Sequence, residues 1–242
     1  MKSRDLKKFY VGGATNLAEK VRLVGEDLFG VDLMWLKSQI ESLTERVNEI
    51  QATISSDNQA IFVTPGSFTF NVPSGVTSVT VQCQGAGGSG AGVWERHGDL
   101  GAGAGGGSGA YAKAIIAVTP NSGIPVTIGA GGASVSGEAL GIAGGTTSFG
   151  SYITCTGGGG GGGGRGPDHA EGGAAGIATV QGVTQVIQKL NGKQGTGNAT
   201  RSNRTPRPGG ASPFFTGYGA GGQGVIDMPS GAGENGIIIV TW

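Results

Sequence analysis

The sequence predicts a mainly β fold with glycine-rich layers of a polyglycine, polyproline-II-like kind, preceded by an α-helical coiled-coil segment. Three observations carry this. Glycine supplies 53 of 242 residues, about three times its usual share of roughly 7%. Stretches that alternate apolar and polar residues with period two separate the glycine runs. Charge density also falls sharply near residue 60: residues 1–60 hold 8 basic and 9 acidic side chains, and residues 61–242 hold 8 and 7. Two domains follow, a helical one over 1–60 and a β- and glycine-rich one over 61–242.

Residues 1–60 read as helix. Asn16 is placed to cap a helix through Leu17, Ala18, Val21, Leu23 and Val24. Gly25 and Gly30 end it, and Asp32 caps the next. From there Leu33, Leu36, Ile40, Leu43, Val47, Ile50 and Ile54 are spaced alternately by three and four residues, an a/d heptad seam with polar residues between. The stripe is narrower than the face of a typical globular helix, and no partner for it stands out within the chain. The expectation is therefore an oligomeric coiled coil rather than a helix packed on its own domain. β-Branched a positions with Leu at d favour dimers, whereas Leu33 at a and Ile50 at d pull towards trimers; a homotrimer is favoured.

Ser55-Ser56-Asp57-Asn58 ends the helix. Strands are expected at Ile61–Val63 and Ser67–Val72 around a Pro65-Gly66 turn, then through Val76, Val79 and Val81. Others are expected at Tyr111–Val118, Ile124–Ile128, Thr146–Thr154, Val183–Leu190 and Gly236–Trp242. The last is a continuous apolar run, which suggests burial on both faces.

Between the strands lie Gly85–Gly109, Gly129–Gly145, Gly157–Gly176 and Gly217–Gly236, including eight consecutive glycines from Gly157 to Gly164. Glycine loses the most backbone freedom on ordering, so an isolated run of this kind defaults to disorder. The flanking strands and the small Ala, Ser and Thr residues in the gaps favour an ordered alternative. Glycine polyproline-II helices can pack closely and satisfy one another's backbone groups. Composition alone leaves the two open.

The formal net charge of zero argues against nucleic-acid coating. There is no 18-residue apolar run to insert in a membrane and no apolar stretch of a secretory signal at the N-terminus. Cys83 and Cys155 have no metal-type spacing and read as two free thiols of a cytosolically made chain. No metal site, cofactor motif or partnered nucleophile emerges, so no enzyme is expected. GAGAGG at Gly101–Gly106 is a chance match to a dinucleotide fingerprint at this glycine density. A catalytic pair drawn from Glu95, Asp99, Glu138, Asp168, Glu171, Asp227 and Glu234 stays a minor alternative.

Bulky and charged residues interrupt the glycines in four places, where a glycine rod cannot hold them inside. The stretches contain Trp94, Arg96 and His97; Asp168 and His169; Arg201, Arg204 and Arg207; and Phe214, Phe215 and Tyr218. These are the candidate binding residues, because exposed aromatics with Arg and Asp suit stacking and bidentate recognition. Solvated loops, or a small core built on Trp94, Phe214 and Phe215, are the plain alternative.

The region from Phe62 resembles the glycine-rich domain found in bacteriophage tail fibre and receptor-binding adhesin proteins. The resemblance rests on Pro65-Gly66, Phe68-Thr69-Phe70, Val72-Pro73, Gly75-Val76 and Gly85-Ala86-Gly87-Gly88. It continues through Val126-Thr127-Ile128-Gly129-Ala130-Gly131-Gly132, Gly144 to Gly150, and Gly231 to Gly236 before the end strand, and so covers about residues 61–242. It implies a virion protein of the phage tail, assembled in the host cytoplasm. Its N-terminus would attach to a tail or baseplate protein, and loops of its glycine-rich tip would recognise a host surface glycan or outer-membrane protein. A structural tail or baseplate protein without receptor contact is the alternative. An ice-binding protein is weakened by the helical segment and the charged loops.

Overall fold

A computed structural model describes residues 37–46, 58–93, 102–164, 170–197, 207–226 and 228–242. The chain divides into two units, Met1–Asp57 and Asn58–Trp242. In the first, residues 37–46 form a helix, α1, with Ile40 and Leu43 more than half exposed. Lys37 and Glu41 pair along it at 3.5 Å, the (i, i+4) geometry of a helix surface. Leu33, Leu36, Val47, Ile50 and Ile54, the rest of the predicted seam, lie outside the described residues.

The second unit is mainly β. In order its strands are β1 Gln59–Phe62, β2 Gly66–Asn71, β3 Ser78–Gln84, β4 Gly92–Val93, β5 Ala102–Gly103, β6 Tyr111–Ala117 and β7 Gly123–Ile128. There follow β8 Thr147–Phe149, β9 Ile153–Cys155, β10 Gly163–Gly164, β11 Ala178–Val180, β12 Gln185–Leu190, β13 Val225–Ile226 and β14 Ile237–Thr241. Two five-stranded antiparallel sheets result, ordered β1-β14-β3-β6-β12 and β11-β9-β8-β7-β2. Period-two alternation turns one side of each sheet inward. Val79, Val81, Cys83, Ile238 and Val240 of one sheet share a core with Phe70, Ile124, Val126, Phe149, Ile153 and Cys155 of the other. The Phe70 ring packs tilted against both Phe149 and Trp242, 5.9 and 5.5 Å between centroids.

Three local expectations change. The predicted strand over Thr146–Thr154 is a hairpin, because Gly150 takes the left-handed conformation (φ 50°) and reverses the chain between β8 and β9. The C-terminal run is paired on both edges, by β1 and β3, but its faces differ: Ile238 and Val240 are buried, Ile239 is half-buried and Thr241 is exposed. β11 has no sequence signal of its own and forms by pairing with β9.

The strands run directly into glycine-rich segments, and these segments are ordered. Their backbone hydrogen bonds follow a three-residue rhythm. In segment 85–93, the N–H groups of Gly85, Gly88 and Ala91 donate to carbonyls of segment 102–110. Those of Ala86, Ser89 and Gly92 donate to segment 139–145, and those of Gly87 and Gly90 to segment 230–236. Segment 102–110 repeats the rhythm, with Ala104, Gly107 and Ala110 donating to segment 156–164, Gly105 and Ser108 to segment 191–197, and Gly106 and Gly109 to residues 219–222. Each neighbour of these segments thus recurs at every third residue.

Following the bonds through gives ten glycine-rich segments among the described residues, in layers of three, four and three. One outer layer holds 139–145, 156–164 and 170–177. The middle layer holds 129–135, 85–93, 102–110 and 191–197, and the other outer layer holds 230–236, 219–226 and 207–210. Each of the two central segments, 85–93 and 102–110, bonds to six neighbours. Residues 85–92 and 103–110 are accordingly all buried, and none is larger than Ser. A Cβ on Gly88, Gly106, Gly107 or Gly158 would overlap a neighbouring carbonyl oxygen. The glycines are therefore required by backbone-to-backbone approach, and the hydrogen bonds offset their entropy cost. Ser89 and Ser108 occupy two interior sites where their hydroxyls accept the N–H groups of Ile142 and Lys193, at 2.8 and 2.7 Å.

Candidate functional site

The ten-segment body has two different ends. At one end the segments continue into the two sheets. At the other, β4, β5, β10 and β13 pack together as the far ends of the central and adjoining segments. β10 pairs antiparallel with β5, and β13 pairs parallel with β4. Bridges from Gly92 to Ala139 and from Arg207 to Gly224 bring in two more segment ends. Five stretches of sequence, 94–101, 136–138, 165–169, 198–206 and 227–229, join segment ends that lie here.

Three of those five connections carry candidate binding residues. Trp94, Arg96 and His97 belong to 94–101, Asp168 and His169 to 165–169, and Arg201 and Arg204 to 198–206. All seven lie outside the described residues; the structure fixes the ends that their stretches join. Arg207 is described and half-buried. Its backbone exchanges two hydrogen bonds with Gly224, at 3.0 and 2.9 Å, which anchors the segment that follows 198–206.

Phe214, Phe215 and Tyr218 do not join this group. Their connection, 211–218, returns at the sheet end, between segments 207–210 and 219–226. Phe214 stacks on Tyr111 of β6, 4.2 Å between centroids and 7° between planes, and Phe215 meets both rings edge-on. Phe214 keeps 48% of its surface exposed, and Tyr111 is fully buried. Beneath them lies Gln84, a buried amide that sequence reasoning passed over. Its Nε2 donates to the Ser212 hydroxyl and to the Tyr218 carbonyl (2.7 Å), and its Oε1 accepts the Phe215 N–H (3.1 Å). A polar residue ending an alternating strand gave no hint of this, because its partners lie more than 125 positions away.

Desolvation pushes the Tyr111 hydroxyl up to about 12, with smaller contributions from Cys155 and Cys83, and the hydroxyl donates to Gln82 Oε1 at 2.9 Å. Among the described residues no three His, Cys, Asp or Glu side chains cluster as metal ligands, and no helix is long and apolar enough to cross a membrane. The arrangement is a scaffold poor in side chains whose segment ends gather away from the sheets.

The chain matches the sequence profile of the glycine-rich domain over residues 63–211. It belongs to the glycine-rich domain family. No curated protein shows significant similarity to it. The matched stretch of the glycine-rich domain contains eight of the ten segments whole and most of the strands. Segments 219–226 and 230–236, and β14, follow it in sequence and complete the outer layer and the first sheet.

Proposed function

We infer that this glycine-rich domain protein is a receptor-binding component of a bacteriophage tail fibre. In this reading the N-terminal unit attaches to a tail or baseplate protein and forms a trimeric coiled coil through Leu33, Leu36, Ile40, Leu43, Val47, Ile50 and Ile54. The ten glycine segments are polyproline-II-type rods that form a stiff body. That body carries its recognition loops outward to a host surface glycan or outer-membrane protein, and binding occurs without turnover. The protein works in the virion after assembly in the host cytoplasm. Trimeric presentation raises the effective concentration of weak individual contacts.

The observation that carries the reading is the gathering of segment ends, joined by five stretches of sequence, at the end of the body away from the sheets. Three of those stretches hold the Trp, His, Arg and Asp residues that interrupt the glycines. Buried, side-chain-poor segments leave no other place for such residues than the joining stretches themselves, and rigid support lowers the entropy cost of binding through them.

Binding of the full chain to cells of candidate hosts tests this. Trp94→Ala with His169→Ala is expected to lower adsorption at least about tenfold, the loss of about 1.4 kcal/mol. Phe214→Ala at the sheet end is expected to leave adsorption to cells unchanged in protein that is still folded. Equal adsorption by the Trp94/His169 variant, or no adsorption to a strain that the parent virion infects, moves the assignment to a structural tail or baseplate protein.

A further inference from the structure

We propose that Cys83 and Cys155 are the two halves of an intrachain disulfide that staples the two sheets together. They are the chain's only cysteines. Cys83 lies near the end of β3 in one sheet, and Cys155 ends β9 in the other, so no hydrogen-bond ladder joins their strands. Both side chains point into the shared core and are fully buried. The Cys155 thiol donates to the Cys83 carbonyl at 3.3 Å, and the Cys83 thiol donates to the carbonyl of Thr147, the residue paired with Cys155 in its own sheet, at 3.5 Å. The backbones are also close beside the pair: a Cβ on Gly85 would meet the Cys155 carbonyl oxygen at 2.7 Å. Two sheets normally stack about 10 Å apart, too far for a disulfide, whose Cα atoms must come within about 7 Å. Here β3 and β9 converge as they pass into the packed glycine segments 85–93 and 156–164, and that convergence brings the thiols together.

The chemistry needs an oxidant of the disulfide class, such as glutathione disulfide. One cysteine thiolate attacks its S–S bond, forms a mixed disulfide and releases one glutathione thiolate. The second cysteine thiolate then displaces the other glutathione. The chain loses two protons and two electrons, and glutathione disulfide becomes two glutathione thiols. Burial is the main cause that raises the Cys83 thiol above its ordinary value, so little thiolate exists in the folded core. The exchange therefore needs the sheets open, by unfolding or local opening in oxidising surroundings outside the cytoplasm of the proposed assembly. The link would span 72 positions of sequence, a long loop whose closure restricts the unfolded chain strongly. Outside a reducing cytosol the link persists. This inference is independent of any receptor.

The test uses the full chain, unfolded with reductant and refolded with or without a mixture of glutathione and glutathione disulfide. With the oxidant, intact mass under non-reducing conditions is expected to fall by about 2 Da. One peptide pair joining Cys83 to Cys155 is expected, with no covalent dimer. The linked form is expected to melt at least about 5 °C above the reduced form. Cys83→Ala with Cys155→Ala removes the dependence of melting on the oxidant; if that variant does not fold, the comparison of the two wild-type forms decides. Two free thiols in folded, oxidant-treated protein, a link formed only between chains, or a linked form that melts no higher than the reduced one overturns the proposal.

Discussion

At the residue scale, the glycine run Gly157–Gly164 shows that identical residues are held in place for different reasons. A Cβ on Gly158 would overlap the Gly107 carbonyl, whereas one on Gly163 meets nothing nearer than Leu140 Cδ2 at 3.6 Å. Gly158→Ala is expected to destabilise the unit by about 3 kcal/mol or more, because the clash is with backbone that cannot turn aside. Gly163→Ala is expected to be neutral or to stabilise by up to about 1 kcal/mol, through the unfolded chain. Thermal melting of the two variants separates them, and equal melting would refute the packed arrangement. Tyr111 gives a prediction in pH. Its hydroxyl titrates near 12 in the folded protein, against about 10 in an unfolded chain. The neutral ring is the folded form, so its contribution is complete below about pH 10 and lost as pH rises through about 12. Tyr111→Phe is expected to flatten the fall of melting temperature over that interval.

At the scale of elements, the short strands and glycine segments depend on one another. Every strand of the sheets except β12 supplies apolar side chains to one core, and the glycine segments beside it carry almost none. The connection 211–218 is pinned across that boundary by Gln84, through three hydrogen bonds to residues of the connection. Gln84→Met keeps the volume but leaves a buried N–H and carbonyl without their partner. The expected cost is about 2–3 kcal/mol, read as a fall in melting temperature of about 5–10 °C. A variant that melts with the wild type would show that the stacked Phe214 and Phe215 rings hold the connection without the amide.

At the scale of the whole molecule, the proposed trimer makes its own prediction. α1 leaves Ile40 and Leu43 55% and 56% exposed, and both belong to the heptad seam. Ile40→Asn with Leu43→Asn is expected to lower the mass seen by light scattering from trimer to monomer, with the β signal in circular dichroism retained. An unchanged mass would mean that oligomerisation, if present, lies elsewhere in the chain.

The sequence by itself determined the division of composition near residue 60, the alternating strands β2 and β3, the strands β6 and β7, the apolar run of β14, and the apolar spacing on α1. Each of these is written in neighbouring residues, because periods of two and 3.5 are local. It also marked which residues the glycine segments could not contain. Only the tertiary structure decided the rest. The strands were sorted into two sheets by registers that join positions as distant as Gln59 and Thr241. The hairpin at Gly150 and the strand β11 exist because of their partners. The order of the glycine runs resides in backbone bonds between segments far apart in sequence, and glycine carries no side chain to announce it. For the same reason the sequence placed Phe214, Phe215 and Tyr218 beside Trp94 and the arginines as equal loop candidates, and folding drew Phe214, Phe215 and Tyr218 to the sheet end. Hydrogen bonds that return to the same neighbour at every third residue are a property of the packed body, and no single segment of it encodes that arrangement alone.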